Sequence, residues 1–231
     1  MTNTFQIAID GPVAAGKGTV AKLVAGRLGF LYVDTGAMYR ALTLYSIRAG
    51  ADLNNEQTVV EILTKDKPKV ELRVPSESEK DGRLCTVLLD GEDVSWKVRT
   101  EEVSHGVSVI TQYGGVRDMI TPLARRIAES QSVVMEGRDI TSVVLPNADL
   151  LIYMDAKAEE RAKRRHRELL MRGEDTSYEK VLAELNERDE RDSHREIAPL
   201  KKVSGAWIID TTGMAIDQVA EAIVEKVKER I

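Results

Sequence analysis

The chain has 231 residues, 42% of them hydrophobic, enough for one domain with a sizeable core and too apolar for a disordered chain. Its net charge of −5 excludes a surface built to wrap nucleic acid, so any basic site must be local. A single cysteine, Cys85, excludes an intrachain disulfide framework and fits a reducing compartment; no basic-plus-apolar leader is visible and no apolar run approaches the ~20 residues that span a bilayer, so a cytoplasmic chain without membrane or nucleic-acid partners is expected.

The first element is a short apolar run, Gln6–Asp10. It is followed by Gly11-Pro-Val-Ala-Ala-Gly-Lys-Gly-Thr19 and then by a helix over 18–28 with Val20, Leu23, Val24 and Leu28 on one face. Strand, glycine loop and helix start in this spacing form a phosphate-binding loop, because glycines let backbone N–H groups close on a polyphosphate and the helix N-terminus adds positive potential. Lys17 adds a point charge for the outer phosphates. Gly18 stands where Ser or Thr usually follows the lysine, and the hydroxyl comes one place later at Thr19. That variant is carried by small-molecule kinases acting on nucleotides.

Four more apolar runs read as strands: Phe30–Asp34, Ser132–Glu136, Leu150–Asp155 and Ala206–Asp210. They are apolar on both faces, the mark of a parallel sheet covered on both sides. Helices are predicted over 36–49, 100–112, 116–129, 156–171, 178–195 and 215–230, with Pro122 kinking or restarting the fourth of the chain. Residues 66–95 alternate instead, with turns at 75–82 and Asp90-Gly91, and predict a three-stranded antiparallel insert without a helical partner of its own. The fold class is therefore α/β: a five-stranded parallel sheet flanked by helices, with a small β insert.

Each parallel strand ends at an acid: Asp10, Asp34, Glu136, Asp155 and Asp210. Ligands bind at the carboxyl ends of such strands, and carboxylates there also cap helices. Function is the favoured reading for Asp34, capping or packing for Asp155 and Asp210.

Four clusters carry further chemistry. Asp34-Thr-Gly-Ala-Met-Tyr-Arg40 puts a guanidinium one turn into a helix beside the sheet edge, suited to two-pronged phosphate binding or, taken alone, a surface arginine. Glu136-Gly-Arg-Asp139 turns sharply at Gly137 and leaves Arg138 and Asp139 at the ligand edge, unless they form a plain surface pair. The helix from Glu159 to Arg167 carries Arg161, Lys163, Arg164, Arg165 and Arg167. It is either a solvated helix with Glu160–Arg164 support or part of a lid, 156–176, whose arginines neutralise transition-state charge. In Glu187–Arg195 a helix would align Arg188, Asp192 and Arg195, which suits a nucleotide or an ordinary salt-bridge ladder.

Together, G-P-V-A-A-G-K-G-T, D-T-G-A-M-Y-R, E-G-R-D-I-T-S-V-V and R-D-E-R-D-S-H-R, in this order and spacing, resemble the bacterial cytidylate kinases, from Ile7 to about Val227. The resemblance implies a single P-loop kinase domain over 1–231. Its nucleoside monophosphate region would run over 35–117, including the insert at 66–95. The reaction would move the γ-phosphoryl of ATP to CMP or dCMP, with Mg²⁺. Gly11, Pro12, Val13, Ala14, Ala15, Gly16, Lys17, Gly18 and Thr19 would cradle the ATP phosphates. Thr35, Arg40, Arg138 and Arg195 would hold the monophosphate, and Arg188 and Asp192 the ribose and neighbouring phosphate. Ser108, Arg117 and Asp139 would read the cytosine. Thr35 replaces a serine found in other members, with the hydroxyl kept. Lys17, Arg161, Arg165 and Arg188 are the candidates for transition-state stabilisation, and Thr19, or Asp34 through water, for the metal. A monomer is expected.

Rival readings are a UMP- or shikimate-type kinase, or a nucleotide-dependent switch. A shikimate-type enzyme needs a base near a hydroxyl acceptor. The histidines His105, His166 and His194 sit in charged or helical surroundings and read as surface or packing residues. A switch usually carries a metal-binding acid in an apolar strand and a residue that positions hydrolytic water, and neither is evident.

Overall fold

The computed structural model describes residues 4–79, 81–171 and 173–231. Five parallel strands form the central sheet: β1 (Gln6–Asp10), β2 (Leu31–Asp34), β6 (Val133–Gly137), β7 (Leu150–Asp155) and β8 (Trp207–Asp210), in the order β2-β6-β1-β7-β8. β1 lies between β6 and β7, with Ile7 opposite Val134 on one side and Leu150 on the other. Ile7, Ala8, Ile9, Val133, Val134 and Met135 are fully buried. Burial on both faces explains why these strands lack polar alternation. The chain crosses from one side of β1 to the other between β6 and β7, which opens a crevice at the carboxyl ends of these strands.

The helices follow their local signals. α1 (Lys17–Leu28) ends at Gly29, whose left-handed backbone (φ 69°) returns an N–H to Ala25. α2 (Thr35–Arg48) is capped by Asp34, which accepts from the Ala37 N–H at 3.0 Å. α7 (Tyr178–His194) is capped by Ser177 through the Lys180 N–H at 3.1 Å. α4 (Glu101–Ile110), α6 (Ala158–Met171) and α8 (Ile216–Lys228) complete the predicted set, with ends within a few residues of expectation.

Two expectations change. α5 (Gly114–Ser130) runs through Pro122 as one helix, so the proline removes a single bond, to the Asp118 carbonyl, without restarting the element. The insert has a helix in front of it that the sequence reading passed over: α3 (Glu56–Asp66), capped by Asn55 through the Thr58 N–H and buried at Val59 and Leu63. β3 (Val70–Arg73), β4 (Thr86–Leu89) and β5 (Glu92–Asp93) form the antiparallel sheet, and β3 and β4 lean on α2.

α6 and α7 pair as a hairpin around Ala162, Leu169, Val181 and Leu185, with Val13 and Ala14 of the glycine loop packed against that cluster. The hairpin therefore rests on the loop itself. Arg172, at the head of the lid's polar stretch, lies outside the described residues.

Candidate active site

Two glycines of the loop are required, one by close contact and one by its backbone conformation. Gly11 has φ 152°, and a Cβ there would stand 2.0 Å from the Met154 carbonyl oxygen. Gly16 has φ 88° and opens α1. Lys17 folds back over the loop, and its Nζ donates to the carbonyls of Gly11 and Pro12, each at 2.8 Å. Burial, and next the charge of Arg138, pull its ammonium down to about 7. Its hydrogen bonds run to two neutral carbonyls, while Glu136, Asp10 and Asp192 favour its charged form, so an anionic oxygen can displace the carbonyls.

Gly18 presses on the next strand: a Cβ there would lie 2.8 Å from Glu136 Oε1, 3.0 Å from Leu84 Cδ1 and 3.2 Å from the Tyr32 hydroxyl. Glu136 thus fills the space a hydroxyl-bearing residue at this position would take. Its Oε1 accepts from the Tyr32 hydroxyl at 2.9 Å. Burial, then the Asp34 charge, raise its pKa above the usual carboxylate range. Thr19 is exposed on α1.

Beside Glu136 a cavity opens at the ends of β2 and β6, walled by α2, α4, α5 and α7. It is lined by Thr35, Arg40, Ser108, Arg117, Arg138, Asp139, Arg188, Asp192 and Arg195. Segments from five parts of the chain therefore converge, and every acceptor-side candidate lies on one wall or another. Asp34, Tyr39 and Glu136 join them. Arg161, Arg165 and Thr19 do not.

The cavity is rich in guanidinium. Arg40 donates to Ser104 Oγ at 2.9 Å and to the Val98 carbonyl at 3.2 Å. Arg138 Nε donates to Asp192 Oδ2 at 2.8 Å. Arg117 is ion-paired with Asp139, and its guanidinium lies 5.7 Å from the centre of the Tyr39 ring. Arg195 donates Nε to the Ala198 carbonyl at 2.7 Å, and its Nη2 stands 3.7 Å from Asp139 Oδ1. Arg188 Nε and Arg195 Nη2 are buried without a hydrogen-bond partner.

Burial first, and then neighbouring guanidiniums, pull Arg40 down to about 9 and Arg188 down to about 10. Burial alone would raise Asp192, but Arg138 and Arg188 outweigh it and hold the carboxyl below its usual value. For Asp139 burial wins over Arg117 and Arg195, and its pKa is raised. Cations without enough anions, buried and partly unpartnered, make a receptor for an anion with several oxygens.

Thr35 donates its hydroxyl to the Glu136 carbonyl at 2.8 Å and so ties the start of α2 to β6. Gly137 is required here, since a Cβ would meet Thr35 Oγ1 and Ile140 Cδ1, each at 2.7 Å. Asp34 both caps α2 and faces Arg99 at 3.7 Å, so capping and a position at the site coincide. Asp155 pairs with Lys202 at 2.9 Å, and Asp210 accepts from the Thr212 N–H at 2.9 Å.

On the lid, Arg161 is buried and tied three ways. It donates to the Ala156 carbonyl at 2.9 Å and to the Val13 carbonyl at 3.1 Å, and pairs with Asp189 at 2.6 Å. It braces α6 against the glycine loop and α7. Arg165 is half-exposed, 2.9 Å from Glu168 Oε2. The histidines lie away from the cavity; His105 and His194 face Glu101 and Glu190 of their own helices, and His166 meets the Thr176 carbonyl.

Glu136, named from the sequence as the acid that ends its strand but given no role at the site, joins the cavity. Its signal was present: Val133-Val134-Met135 followed by a glutamate is an apolar strand ending in an acid, next to β1.

A family model for cytidylate kinase matches residues 7–229. Cytidylate kinases of Geobacillus sp. (strain WCH70) and Bacillus subtilis (strain 168) are 46% and 41% identical over 231 and 230 residues, covering 100% of this chain in each case and 100% and 99% of theirs. A solved structure of an uncharacterized protein from Eubacterium ventriosum shares the fold, with a TM-score of 0.54 at 12% identity over 97% of this chain and 99% of that one. The chain belongs to the cytidylate kinase family.

Proposed function

We propose that this chain transfers the γ-phosphoryl of ATP to CMP, giving CDP and ADP, with dCMP as a second acceptor. The observation that carries the acceptor side is the cavity of buried guanidiniums next to the glycine loop, with Arg188 Nε and Arg195 Nη2 lacking hydrogen-bond partners. A switch or hydrolase needs one phosphate site, whereas here a second cationic site stands beside the first.

In this reading the backbone of residues 11–19 surrounds the triphosphate, and Lys17 leaves its two carbonyls for the outer phosphates. Arg40, Arg138, Arg188 and Arg195 take the acceptor phosphate, and Asp192 a ribose hydroxyl. The acceptor oxygen is already ionised near pH 7, so no general base is needed. Catalysis is positioning plus charge stabilisation, with Lys17 and Arg188 between the two phosphates and Arg165 closing from α6. Arg161, held by Val13 and Asp189, supports the phosphate loop under the lid.

The Arg117–Asp139 pair suits cytosine. Its carboxylate can accept from the N4 amino group while the guanidinium donates to the neighbouring ring acceptors. Uracil sets an O4 acceptor against the carboxylate, and an unpaired buried polar group costs about 1–3 kcal/mol, so CMP should be preferred over UMP by roughly ten- to a hundredfold.

Magnesium fits the residues at the loop. Asp34, Glu136 and the Thr19 hydroxyl are hard oxygen donors; Asp34 and Glu136 stand opposite each other at the ends of β2 and β6, and Glu136 Oε1 occupies the space a side chain at Gly18 would take. No group of three or more His, Cys, Asp or Glu is arranged to hold a metal among the described residues; magnesium at nucleotide sites is commonly bound through one or two carboxylates, water and the nucleotide's own phosphates. Asp34, Glu136 and Thr19 would hold it, and it would offset the charge of the transferred group.

A coupled assay with CMP, dCMP, UMP, AMP, shikimate and no acceptor tests this reading. CMP-dependent ADP formation well above the other acceptors is expected. Equal turnover of UMP, or ADP release without acceptor, would overturn it.

A further inference from the structure

Asp10 is fully buried at the end of β1, one residue before the glycine loop, and does not line the cavity. Its hydrogen bonds all come from another segment: Oδ1 accepts from the Ile140 N–H at 2.9 Å, and Oδ2 from the Thr141 N–H at 2.7 Å and the Thr141 hydroxyl at 2.6 Å. Those two amides are the first of the short helical turn Ile140–Val144, where N–H groups have no partner within the turn.

The residue placed to cap that turn is Asp139. Its carbonyl accepts from the Val143 and Val144 N–H groups at 2.9 and 3.1 Å, so it stands at the N-cap position. An aspartate there ordinarily turns its side chain onto the amides that follow it. Here the Asp139 side chain makes no such bond. It points instead to Arg117 and Arg195 in the cavity.

From this exchange we infer that Asp10 is a positioning residue that caps the Ile140–Val144 turn from β1 and thereby frees the Asp139 carboxylate for the acceptor's base. The inference rests on the assignment of Asp139 to the cytosine. It adds a direct tie between the root of the phosphate loop and the segment carrying Arg138 and Asp139. Without Asp10, the Ile140 and Thr141 N–H groups become unpaired buried donors, and the Asp139 carboxylate stands at the N-cap position from which a side chain ordinarily takes such amides.

The test uses the full chain with Asp10→Asn, Thr141→Val and Thr141→Ser, and reads KM for CMP and for ATP separately, with the CMP-to-UMP ratio of kcat/KM. In D10N the amide NH₂ must face one of the two backbone donors. KM for CMP should rise about tenfold and the CMP-to-UMP ratio fall by a similar factor, while KM for ATP stays within about twofold. T141V should shift the same quantities in the same sense by about threefold, and T141S should restore them. Should D10N fail to fold, the T141V and T141S pair decides. A lowered melting temperature with KM and selectivity unchanged, or equal rises in both KM values, overturns the inference.

Asp139→Asn, measured alongside, separates the two levels. A D139N enzyme with unchanged selectivity removes the underlying assignment and the inference with it. A D139N enzyme that loses selectivity, beside D10N and T141V enzymes that keep it, overturns the role of Asp10 alone.

Discussion

The phosphate loop and the acceptor cavity lie side by side at the same edge of the sheet and are built on opposite plans. The loop is a contiguous stretch whose working groups are backbone amides, and its one charged side chain is held by its own carbonyls. The cavity is assembled from side chains on β2, β6, α2, α4, α5 and α7, and four of its charges are held in pairs, Arg117 with Asp139 and Arg138 with Asp192. Backbone tolerates substitution only where no Cβ intrudes, whereas a side-chain network fails by pairs. The loop should therefore break through single positions, and the cavity through loss of balance between its cations and acids.

Lys17→Ala is the sharpest break on the loop side. The Gly11 and Pro12 carbonyls lose a donor, a local cost at the loop that leaves the sheet and its core intact, so the fold should survive. Turnover should fall by about 10³-fold or more, because the charge nearest the transferred phosphoryl is gone. Near-normal turnover in a variant with an unchanged circular dichroism spectrum would remove Lys17 from the chemistry.

Arg188→Ala is the corresponding break in the cavity. Arg188 has an unpaired Nε and lies close enough to Asp192 to help hold its carboxyl low. kcat/KM for CMP should fall by about a hundredfold while KM for ATP changes little. If steady-state kinetics show the ATP constant rising as much as the CMP constant, the two regions are not separable and the comparison fails.

The same difference decided what could be read in advance. The loop was legible because spacing, glycines and flanking strand and helix all sit within Gln6–Leu28. The five parallel strands were legible because burial on both faces leaves an unbroken apolar run. The cavity's members could be named only through a family resemblance, since Arg117 meets Asp139 across 22 residues and Arg138 meets Asp192 across 54. No local pattern distinguishes these pairs from surface ion pairs. α3 escaped notice because its charged sequence buries little beyond Val59 and Leu63. The role of Glu136 escaped because it depends on Gly18, 118 residues away, having no side chain.

That contact gives a smaller test at the boundary between the regions. Gly18→Ala adds a methyl 2.8 Å from Glu136 Oε1 and 3.0 Å from Leu84 Cδ1. Alanine gains about 1 kcal/mol of helix propensity, overpacking costs about 1–3 kcal/mol, and a net loss of about 1 kcal/mol is expected. Urea unfolding measures it. A G18A protein as stable as wild type would mean that the Glu136 carboxylate swings away freely, and that it is not held at the loop.

Cys85 lies in the same seam, at the root of β4, among the charges of Asp34, Arg99, Glu136 and Lys22. Burial, with Asp34 adding to it, pushes its thiol up from 9.0 to about 12. Thiolate is the reactive form, so iodoacetamide at pH 8.5 should leave folded protein unmodified and alkylate it only in denaturant. The sign for stability follows from proton counts. Between pH 9 and about 12 the unfolded chain has lost the thiol proton and the folded chain keeps it. The stabilisation is therefore whole below pH 9 and is lost as pH rises toward 12. Tyr32, buried beside Glu136, is shifted upward as well and adds a loss of the same sign. Comparing wild type with Cys85→Ser isolates the thiol: the serine variant should show the shallower alkaline decline in melting temperature. Equal declines, or rapid alkylation of native protein, would mean that the seam between insert and loop opens to water, and that the two regions are joined less tightly than their contacts indicate.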